Sequence, residues 1–186
     1  MSGISDNELV ARHLEGDTRA FGELVARYMK AVYNFVYLYA RNEGDAEDIT
    51  QDAFMNAWKG LRAFDRSRAF KPWLFSIAKN ASLNWLKKKK PVLFGDIARE
   101  GGGADFEETI PDEAPLLEEV FEERDLVARV EEAMRELPPE QQAVIVLHHT
   151  EELSFREIAE MSEVSLDTVK SRYRRALIAL RGKLRK

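Results

Sequence analysis

The sequence predicts an all-α protein made of two small helical domains that are joined by a flexible acidic linker. Apolar residues recur along the chain with the spacing of about 3.6 residues that a helix requires, and no segment shows the sustained alternation typical of strands. Residues 91–117 differ, because they combine three consecutive glycines with Pro111 and Pro115 and few apolar residues. We therefore expect domains at residues 1–90 and 118–186.

Four helices are predicted in the first domain. Ser5 or Asp6 can open a helix that ends at Glu15 before Gly16, and Asp17 can cap the next helix. This second helix is long and carries one apolar stripe that we assign to a core: Phe21, Leu24, Val25, Tyr28, Val32, Phe35, Val36 and Tyr39.

The third and fourth helices follow a break. The dipeptide Gly44-Asp45 predicts that break, after which the third helix runs to about Leu61. Pro72 suits the first turn of the fourth helix, which continues into the lysine run at 87–90 and ends at Pro91.

The second domain is predicted to begin with two supporting helices. The first has a single apolar stripe, formed by Val127, Val130, Met134 and Leu137. The pair Pro138-Pro139 opens the second, which runs through Val144, Ile145 and Leu147.

The segment from 154 to 175 has the pattern of a helix, a tight turn and a second helix. Ser154 and Glu157 match the capping box S-x-x-E, in which each residue satisfies a backbone N–H group at a helix start. Ser165 offers a second cap. The helix that it opens has one apolar face, formed by Val169, Tyr173, Ala176, Leu177 and Leu180. This is a helix-turn-helix, a motif that binds duplex DNA through its second helix.

The charge distribution supports DNA binding at this second helix. Residues 168–186 hold eight Lys or Arg and no acidic residue, although the whole chain has a net charge of −5. Residues 1–90 hold 15 basic and 11 acidic residues, whereas 91–120 hold 1 and 9. Lys and Arg neutralise phosphates and read guanine edges. The alternative interpretation is a basic, solvated terminal helix.

A second basic segment lies at residues 59–90, with ten Lys or Arg against one acidic residue, Asp65. Aromatic residues are interleaved with the basic ones, which suits melted DNA, because its phosphates attract cations and its exposed bases stack on rings. On the fourth helix we expect Trp85 to pack in the core. Trp73 shares the opposite face with Ser76, Asn80, Asn84 and Lys87, and is either a core rim or a stacking platform. The lysine run at 87–90 is either a solvated helix end or a phosphate contact.

The third helix is acidic. Asp45, Glu47 and Asp48 complement the dipole at its N-terminus, whereas Asp48 and Asp52 are like charges four residues apart, which a basic protein partner would relieve. A carboxylate metal site is the weaker alternative. The neighbouring His148 and His149 are expected on different helix faces and not as a chelating pair.

Composition excludes several classes of protein. The chain has no cysteine, which removes disulfides, thiolate metal sites and cysteine nucleophiles. The first residues are polar, and no apolar run approaches the roughly 18 residues of a membrane span. We expect a cytoplasmic protein without membrane insertion. No pairing of a nucleophile with a base emerges, so we expect neither an enzyme nor a cofactor.

Three motifs in order resemble the sigma factors of bacterial RNA polymerase, in the extracytoplasmic-function (ECF) subgroup. Residues 45–54, Asp-Ala-Glu-Asp-Ile-Thr-Gln-Asp-Ala-Phe, resemble the family's polymerase-binding helix. Residues 70–80, Phe-Lys-Pro-Trp-Leu-Phe-Ser-Ile-Ala-Lys-Asn, resemble its promoter −10 segment. Residues 137–172, from Leu-Pro-Pro-Glu-Gln-Gln to Thr-Val-Lys-Ser-Arg, resemble its −35 domain.

The resemblance implies that residues 1–90 form sigma region 2 and residues 118–186 form sigma region 4. It also implies three partners: core RNA polymerase, through its β′ clamp helices and β flap, promoter DNA and an anti-sigma factor. The polymerase-binding residues would be Asp45, Asp48, Gln51, Asp52 and Phe54. The −10 residues would be Phe64, Asp65, Arg66, Ser67, Arg68, Phe70, Trp73, Ser76, Lys79, Asn80, Asn84 and Lys87, with the loop at 65–70 holding a flipped base. The −35 residues would be Thr168, Lys170, Ser171, Arg172, Arg174 and Arg175.

Two positions depart from the family pattern. The turn of the helix-turn-helix has Ser162-Glu163 where Leu-Gly is usual, and Asp167 stands where glycine is common. A left-handed Glu163 would cost on the order of 1 kcal/mol. The competing hypothesis is an operator-binding regulator that binds duplex DNA without polymerase.

Overall fold

Every regular element that the computed structural model describes, within residues 4–89 and 123–184, is helical. The all-α prediction is therefore confirmed. The predicted linker at 91–117 lies outside the described residues.

The first two helices begin at the predicted caps. Helix α1 spans Asp6–Leu14, and the Ser5 hydroxyl accepts from the Glu8 backbone N–H at 3.3 Å. Helix α2 spans Thr18–Ala40, and the Asp17 carboxylate accepts from the Arg19 N–H at 2.9 Å. Of the predicted stripe on α2, all but Phe21 and Val25 are buried.

Helix α3 starts earlier than predicted. It spans Glu43–Gly60, because Arg41 takes the left-handed conformation (φ 54°) and the Asn42 side chain caps the new helix, accepting from the Asp45 N–H at 3.0 Å. The predicted break at Gly44-Asp45 is thus wrong by about one turn. A 3₁₀ turn, Leu61–Ala63, and a loop then lead to α4, Phe70–Lys89.

These helices enclose an apolar core. Phe35 of α2 packs edge-on against Phe75 of α4 with ring centroids 5.3 Å apart, and both side chains are fully buried. Helix α3 contributes the small buried residues Ala46, Ala53 and Ala57, which allow neighbouring helices to approach closely. Fully burying one large apolar side chain contributes roughly 1.5–3 kcal/mol to folding.

Within residues 123–184, the second unit contains four helices and one π-helical turn. Their bounds are α5, Glu123–Arg135; α6, Pro139–Ile145; the π turn, Val146–Thr150; α7, Phe155–Ser162; and α8, Leu166–Leu184. The predicted starts of α6, α7 and α8 are confirmed. Leu177 departs from its predicted core position, because 36% of its surface is exposed.

The two units pack directly against each other. Helix α7 lies on α4, helix α6 lies on α2, and one continuous buried cluster runs from Phe75 in the first unit to Leu147 and Ile158 in the second. Tyr39 of α2 is buried at this contact, where burial and the carboxylate of Glu140 both raise its pKa. The sequence predicted two units but not this contact.

Candidate nucleic-acid interface

The predicted acidic face lies on α3, and most of it is open. Asp48, Gln51 and Asp52 are exposed. Asp45 is instead paired with Lys89 of α4 at 2.7 Å, and its side chain is 28% exposed. Asp45 therefore ties α3 to α4, while the other three side chains are available to a partner.

An apolar groove of about 780 Å³ runs beside these acids, between α2 and α3. Its apolar wall is formed by Phe21, Val25, Met29, Tyr33, Phe54, Met55 and Trp58. Glu47, Asp48 and Gln51 form part of its rim. The groove thus places a long apolar floor next to negative charge, which suits an amphipathic basic helix.

Phe54 is a predicted contact residue of this region, whereas the exposed apolar members of the groove are not among the predicted contacts. Phe54 is 7% exposed, whereas Met29, Met55 and Trp58 are 43%, 48% and 51% exposed. Met55 and Trp58 lie three positions apart on one helix face, so this apolar pair outside the core stripe of α3 was the signal that could have identified them.

Three rings at the start of α4 form a tight cluster. The ring centroids of Phe64 and Trp73 are 4.8 Å apart, and those of Phe70 and Trp73 are 5.5 Å apart. Phe64 and Phe70 are buried, so in this arrangement they support the surface from beneath. Trp73 is half-buried, which makes it the rim of this cluster, and Trp85 is likewise half-buried beneath the Lys89 ammonium.

The loop that connects Phe64 to Phe70 is closed by its own hydrogen bonds. The Asp65 carboxylate accepts from the backbone N–H of Ser67 at 2.9 Å and from its hydroxyl at 2.7 Å. These bonds lower the pKa of Asp65. The Arg68 N–H donates to the Asp65 carbonyl at 3.0 Å. Arg66, Ser67 and Arg68 consequently stand on an exposed, ordered turn.

Helix α4 divides its predicted DNA face into two parts. Asn80, Asn84 and Lys87 are exposed. Ser76 and Lys79 are half-buried, because α7 of the second unit packs over them. The structure therefore leaves the C-terminal half of this face open and covers the N-terminal half.

The helix-turn-helix has the predicted local geometry. The capping box of α7 is complete: the Glu157 N–H donates to the Ser154 hydroxyl at 3.2 Å, and the Ser154 N–H donates to the Glu157 carboxylate at 2.8 Å. Glu163 adopts the left-handed conformation (φ 56°), as its position in the turn predicted. The Thr168 N–H donates to the Ser165 hydroxyl at 3.1 Å at the start of α8.

Helix α8 buries one face and exposes the other. Val169, Ala176 and Leu180 are buried. Lys170, Arg174 and Arg175 are exposed, whereas Thr168, Ser171 and Arg172 are half-buried. Arg172 lies close enough to Lys79 to lower the pKa of that amine, after the larger effect of burial. Among the residues predicted to bind the −35 DNA, the outward cations are therefore Lys170, Arg174 and Arg175.

Three basic residues of the first unit are paired with acceptors on the second unit. Lys71 contacts the Glu151 carboxylate at 2.9 Å and donates to its carbonyl at 2.7 Å. Arg68 contacts Glu160 at 2.8 Å. Lys79 donates to the Ser162 carbonyl at 2.7 Å. All three lie on the segment predicted to meet DNA, so acidic and carbonyl oxygens of the second unit occupy cations that phosphates would otherwise attract.

Two histidines pack beneath α8. His148 stacks on Phe155 with ring centroids 4.2 Å apart, and His149 shares a hydrogen bond of 2.8 Å with the Tyr173 hydroxyl. The His rings are 5.0 Å apart and both contact Tyr173, so the expectation that they face different sides is wrong. The π turn brings both rings against Tyr173 of α8, and His149 stays exposed there.

Within residues 4–89 and 123–184, no helix is both long and apolar enough to span a bilayer. The same residues bring together no group of three or more His, Asp or Glu side chains that could hold a metal ion. The carboxylate site considered for α3 therefore has no support from the geometry.

Two family models match the chain, sigma-70 region 2 over residues 24–92 and sigma-70 region 4 over residues 128–180. The chain is 34% identical over 173 residues to the ECF RNA polymerase sigma factor SigW of Bacillus subtilis (strain 168), with 92% of each protein covered. It is 35% identical over 188 residues to the ECF RNA polymerase sigma-E factor of Escherichia coli (strain K12), covering 97% of this chain and 95% of that protein.

Solved structures agree with this similarity. CnrH, solved in complex with the cytosolic domain of CnrY, superposes with a TM-score of 0.66 at 28% identity, and 96% of each chain is covered. The sigma factor RpoE of Bartonella quintana, solved with the anti-sigma factor NepR, superposes with a TM-score of 0.64. It is 23% identical and covers 90% of this chain and 98% of its own, which supports the shared fold.

Proposed function

We infer the function from the family: the chain belongs to the ECF subgroup of the sigma-70 factors of bacterial RNA polymerase. It binds core RNA polymerase and directs the enzyme to specific promoters. The observation that carries this conclusion is similarity along nearly the whole chain, since relatives at 34% and 35% identity cover 92% and 97% of it. An operator-binding regulator needs the helix-turn-helix alone, so the match across the first unit does not favour it.

The open face of α3 and its groove are the proposed docking site for the polymerase β′ clamp helices. Asp48 and Asp52 supply negative charge, and Met55 and Trp58 supply exposed apolar surface beside it. A coiled pair of helices that presents basic and apolar residues would satisfy both features. Large, exposed Trp and Met side chains are enriched at the energetic centres of protein interfaces.

Residues 64–87 are the proposed −10 surface. The ordered loop at 65–69 offers exposed polar groups to an unpaired base, and Trp73 supplies a ring at its edge. Asn80 and Asn84 continue the polar face along α4. The buried Phe64 and Phe70 are assigned a supporting role, because neither ring has an open face for a base.

Helix α8 is the proposed −35 reader. Arg174 and Arg175 are exposed on the side away from the buried Val169 and Ala176, where a helix would enter the major groove. Lys170 is suited to a phosphate. The role of Arg172 is assigned to the closed arrangement of the two units, where it is half-buried.

The closed arrangement has a consequence for regulation. With α7 seated on α4, Arg68, Lys71 and Lys79 are bonded to the second unit, and Trp73 and Ser76 face α7 across a cavity of about 340 Å³. We propose that polymerase binding separates the two units and that an anti-sigma factor holds them closed. The polymerase would supply all of the chemistry in the cytoplasm, and this chain would supply only recognition.

Transcription in vitro tests the function. Core RNA polymerase is mixed with the full-length protein and a library of promoter fragments, and transcript start sites are mapped. New start sites that share −10 and −35 sequences and depend on the protein are expected. Specific binding to duplex DNA without polymerase, together with no new start sites, would instead establish the operator-binding regulator.

A further inference from the structure

A side chain from the first helix holds the backbone of the proposed base-binding loop. The Asn7 Nδ2 group in the first turn of α1 donates to the carbonyl oxygen of Arg66 at 3.0 Å and to that of Arg68 at 3.2 Å. Asn7 is far from both residues in the chain, with separations of 59 and 61 positions. Asn7 had no part in the functional assignment from sequence.

These two bonds complement the bonds inside the loop. The Asp65 side chain and carbonyl fix the N–H groups of Ser67 and Arg68, which shapes the loop from its amide side. Asn7 fixes the carbonyl oxygens that lie before and after those amides. Without it, the carbonyls of Arg66 and Arg68 would depend on water, and the loop could relax toward other turns.

Asn7 is itself rigidly held. The Ser5 hydroxyl caps α1, and Leu9 and Val10 are buried in the core. The Asp6 carboxylate accepts from the Tyr28 hydroxyl and pairs with Arg27, and the Arg27 guanidinium also donates to the Ile4 carbonyl at 3.0 Å. The amide that reaches the loop thus projects from a helix anchored on α2.

The second atom of the same amide makes no bond. The Asn7 Oδ1 atom is buried and has no hydrogen-bond partner. Leaving a buried carbonyl oxygen unpaired costs stability, so packing alone would favour an apolar side chain at this position. The amide is explained by its donor group, which delivers two N–H bonds from one nitrogen to two neighbouring carbonyls.

We propose that Asn7 is a positioning residue for −10 recognition, which fixes the 65–69 loop so that its exposed side chains meet one flipped base in one geometry. The inference rests on the proposed function, because it assumes that this loop reads a base. A carboxylate cannot replace the amide, since it has no N–H to donate and would face two carbonyl oxygens. A glutamine retains the donor pair on a longer stem.

The test measures base preference at the −10 position that the loop reads. Full-length wild type, Asn7→Ala, Asn7→Asp and Asn7→Gln are assayed with core polymerase on four templates that differ only at that base. Asn34→Ala, an exposed asparagine on α2, is the matched control. The measured quantity is the ratio of transcript yields between the best and the worst template. We expect Asn7→Ala to reduce this ratio by about tenfold and Asn7→Asp to reduce it further, whereas Asn7→Gln should retain most of it.

Four further readouts separate a positioning role from general structural support. The −35 preference, the affinity for core polymerase and the melting temperature are expected to change little in Asn7→Ala, while amide exchange rises at 66–69 and not in α2. Should Asn7→Ala not fold, Asn7→Ser retains one donor and is expected to show about half of the loss on a logarithmic scale.

Two results would overturn the proposal. One is that Asn7→Ala discriminates among the four bases as strongly as the wild type does. The other is that Asn7→Ala loses transcription equally on all four templates, in proportion to its loss of stability. Failure of the underlying function looks different, because wild type would then show no base preference at −10 or no polymerase-dependent transcript at all.

Discussion

The Lys79 ammonium donates to the carbonyl oxygen of Ser162, the last residue of α7, at 2.7 Å. The carbonyls at a helix C-terminus lack partners within the helix and attract cations. Lys79 is half-buried there, and burial is the main cause of the lowered pKa of its amine. A lysine proposed to face promoter DNA thus caps the first helix of the helix-turn-helix while the two units are closed.

The closed contact should restrict DNA binding by the free protein. Glu151 is the most buried acid at this contact, and its partner Lys71 is half-buried. Glu151→Gln removes the charge and should weaken the contact by about 1–2 kcal/mol, less than for a fully buried pair. We expect single-stranded −10 DNA to bind roughly tenfold more tightly to the free variant, measured by fluorescence anisotropy. The control is Glu8→Gln, which breaks the exposed pair with Arg12. Equal affinities for the two variants would contradict the prediction.

The acidic face of α3 should determine affinity for core polymerase. Asp48→Arg/Asp52→Arg reverses two exposed charges and is expected to weaken core binding by at least tenfold, with the largest effect at low salt. Helical content should stay intact, because neither side chain contributes to the buried core. Surface plasmon resonance and circular dichroism measure the two quantities. Glu132→Arg, which changes an exposed residue of α5, serves as the control, and an unchanged affinity of the double variant would remove the assignment.

The groove should contribute apolar binding energy that salt does not screen. Trp58→Ala removes the most exposed ring of the groove and is expected to weaken core binding by about 2 kcal/mol or more, at low and high salt alike. Its effect on unfolding should be small, since 51% of Trp58 is exposed. The control is Ile178→Ala, an exposed apolar residue of α8. A loss of polymerase affinity that disappears at high salt would mean that the groove acts through its charged rim.

The sequence was a good guide to three of the helix starts that a short-range polar bond decides. The caps at Ser5, Asp17 and Ser154 were predicted because a side chain bonds to an N–H two or three residues away. The start of α3 was missed because a left-handed Arg41 cannot be read from composition. The contact between the units was missed for a different reason: it joins residues such as Lys79 and Ser162 that lie 83 positions apart.

The same distinction applies to the candidate sites. The exposed positions of α8 followed from helical spacing, which placed Arg174 and Arg175 opposite Val169. Asn7 could not be found in this way, because a single asparagine near a helix start is typical of a cap and its partners are set by tertiary packing. Likewise, the covering of Ser76 by α7 depends on the arrangement of two units.

The stability of the helix-turn-helix should depend on pH through His149. Burial, and secondarily the neighbouring His148, lower the pKa of His149 below its ordinary 6.5. The unfolded chain therefore binds this proton more tightly than the folded protein does. The contribution of neutral His149 to the free energy of unfolding should be fully present above about pH 6.5. It should decrease as the pH falls from there toward the lower pKa of His149 in the folded protein. Urea unfolding near pH 5 and pH 7.5 measures it, and His149→Gln should reduce the difference. An unchanged difference in that variant would assign the effect to other groups.

Base readout at −35 should separate from phosphate binding along α8. Arg174 and Arg175 are exposed on the side opposite the buried face, so at least one of them should reach a base edge. Replacing that arginine by Ala should reduce the discrimination between bases at one −35 position by about 1–3 kcal/mol. Lys170→Ala should instead weaken binding to all −35 sequences alike. It should also lower the slope of log affinity against log salt concentration by roughly one unit. Arg181→Ala, exposed in the last turn, is the control. Assays with core polymerase on a randomised −35 library decide the matter, since unchanged base preference in both arginine variants would mean that α8 does not read the −35 bases through these side chains.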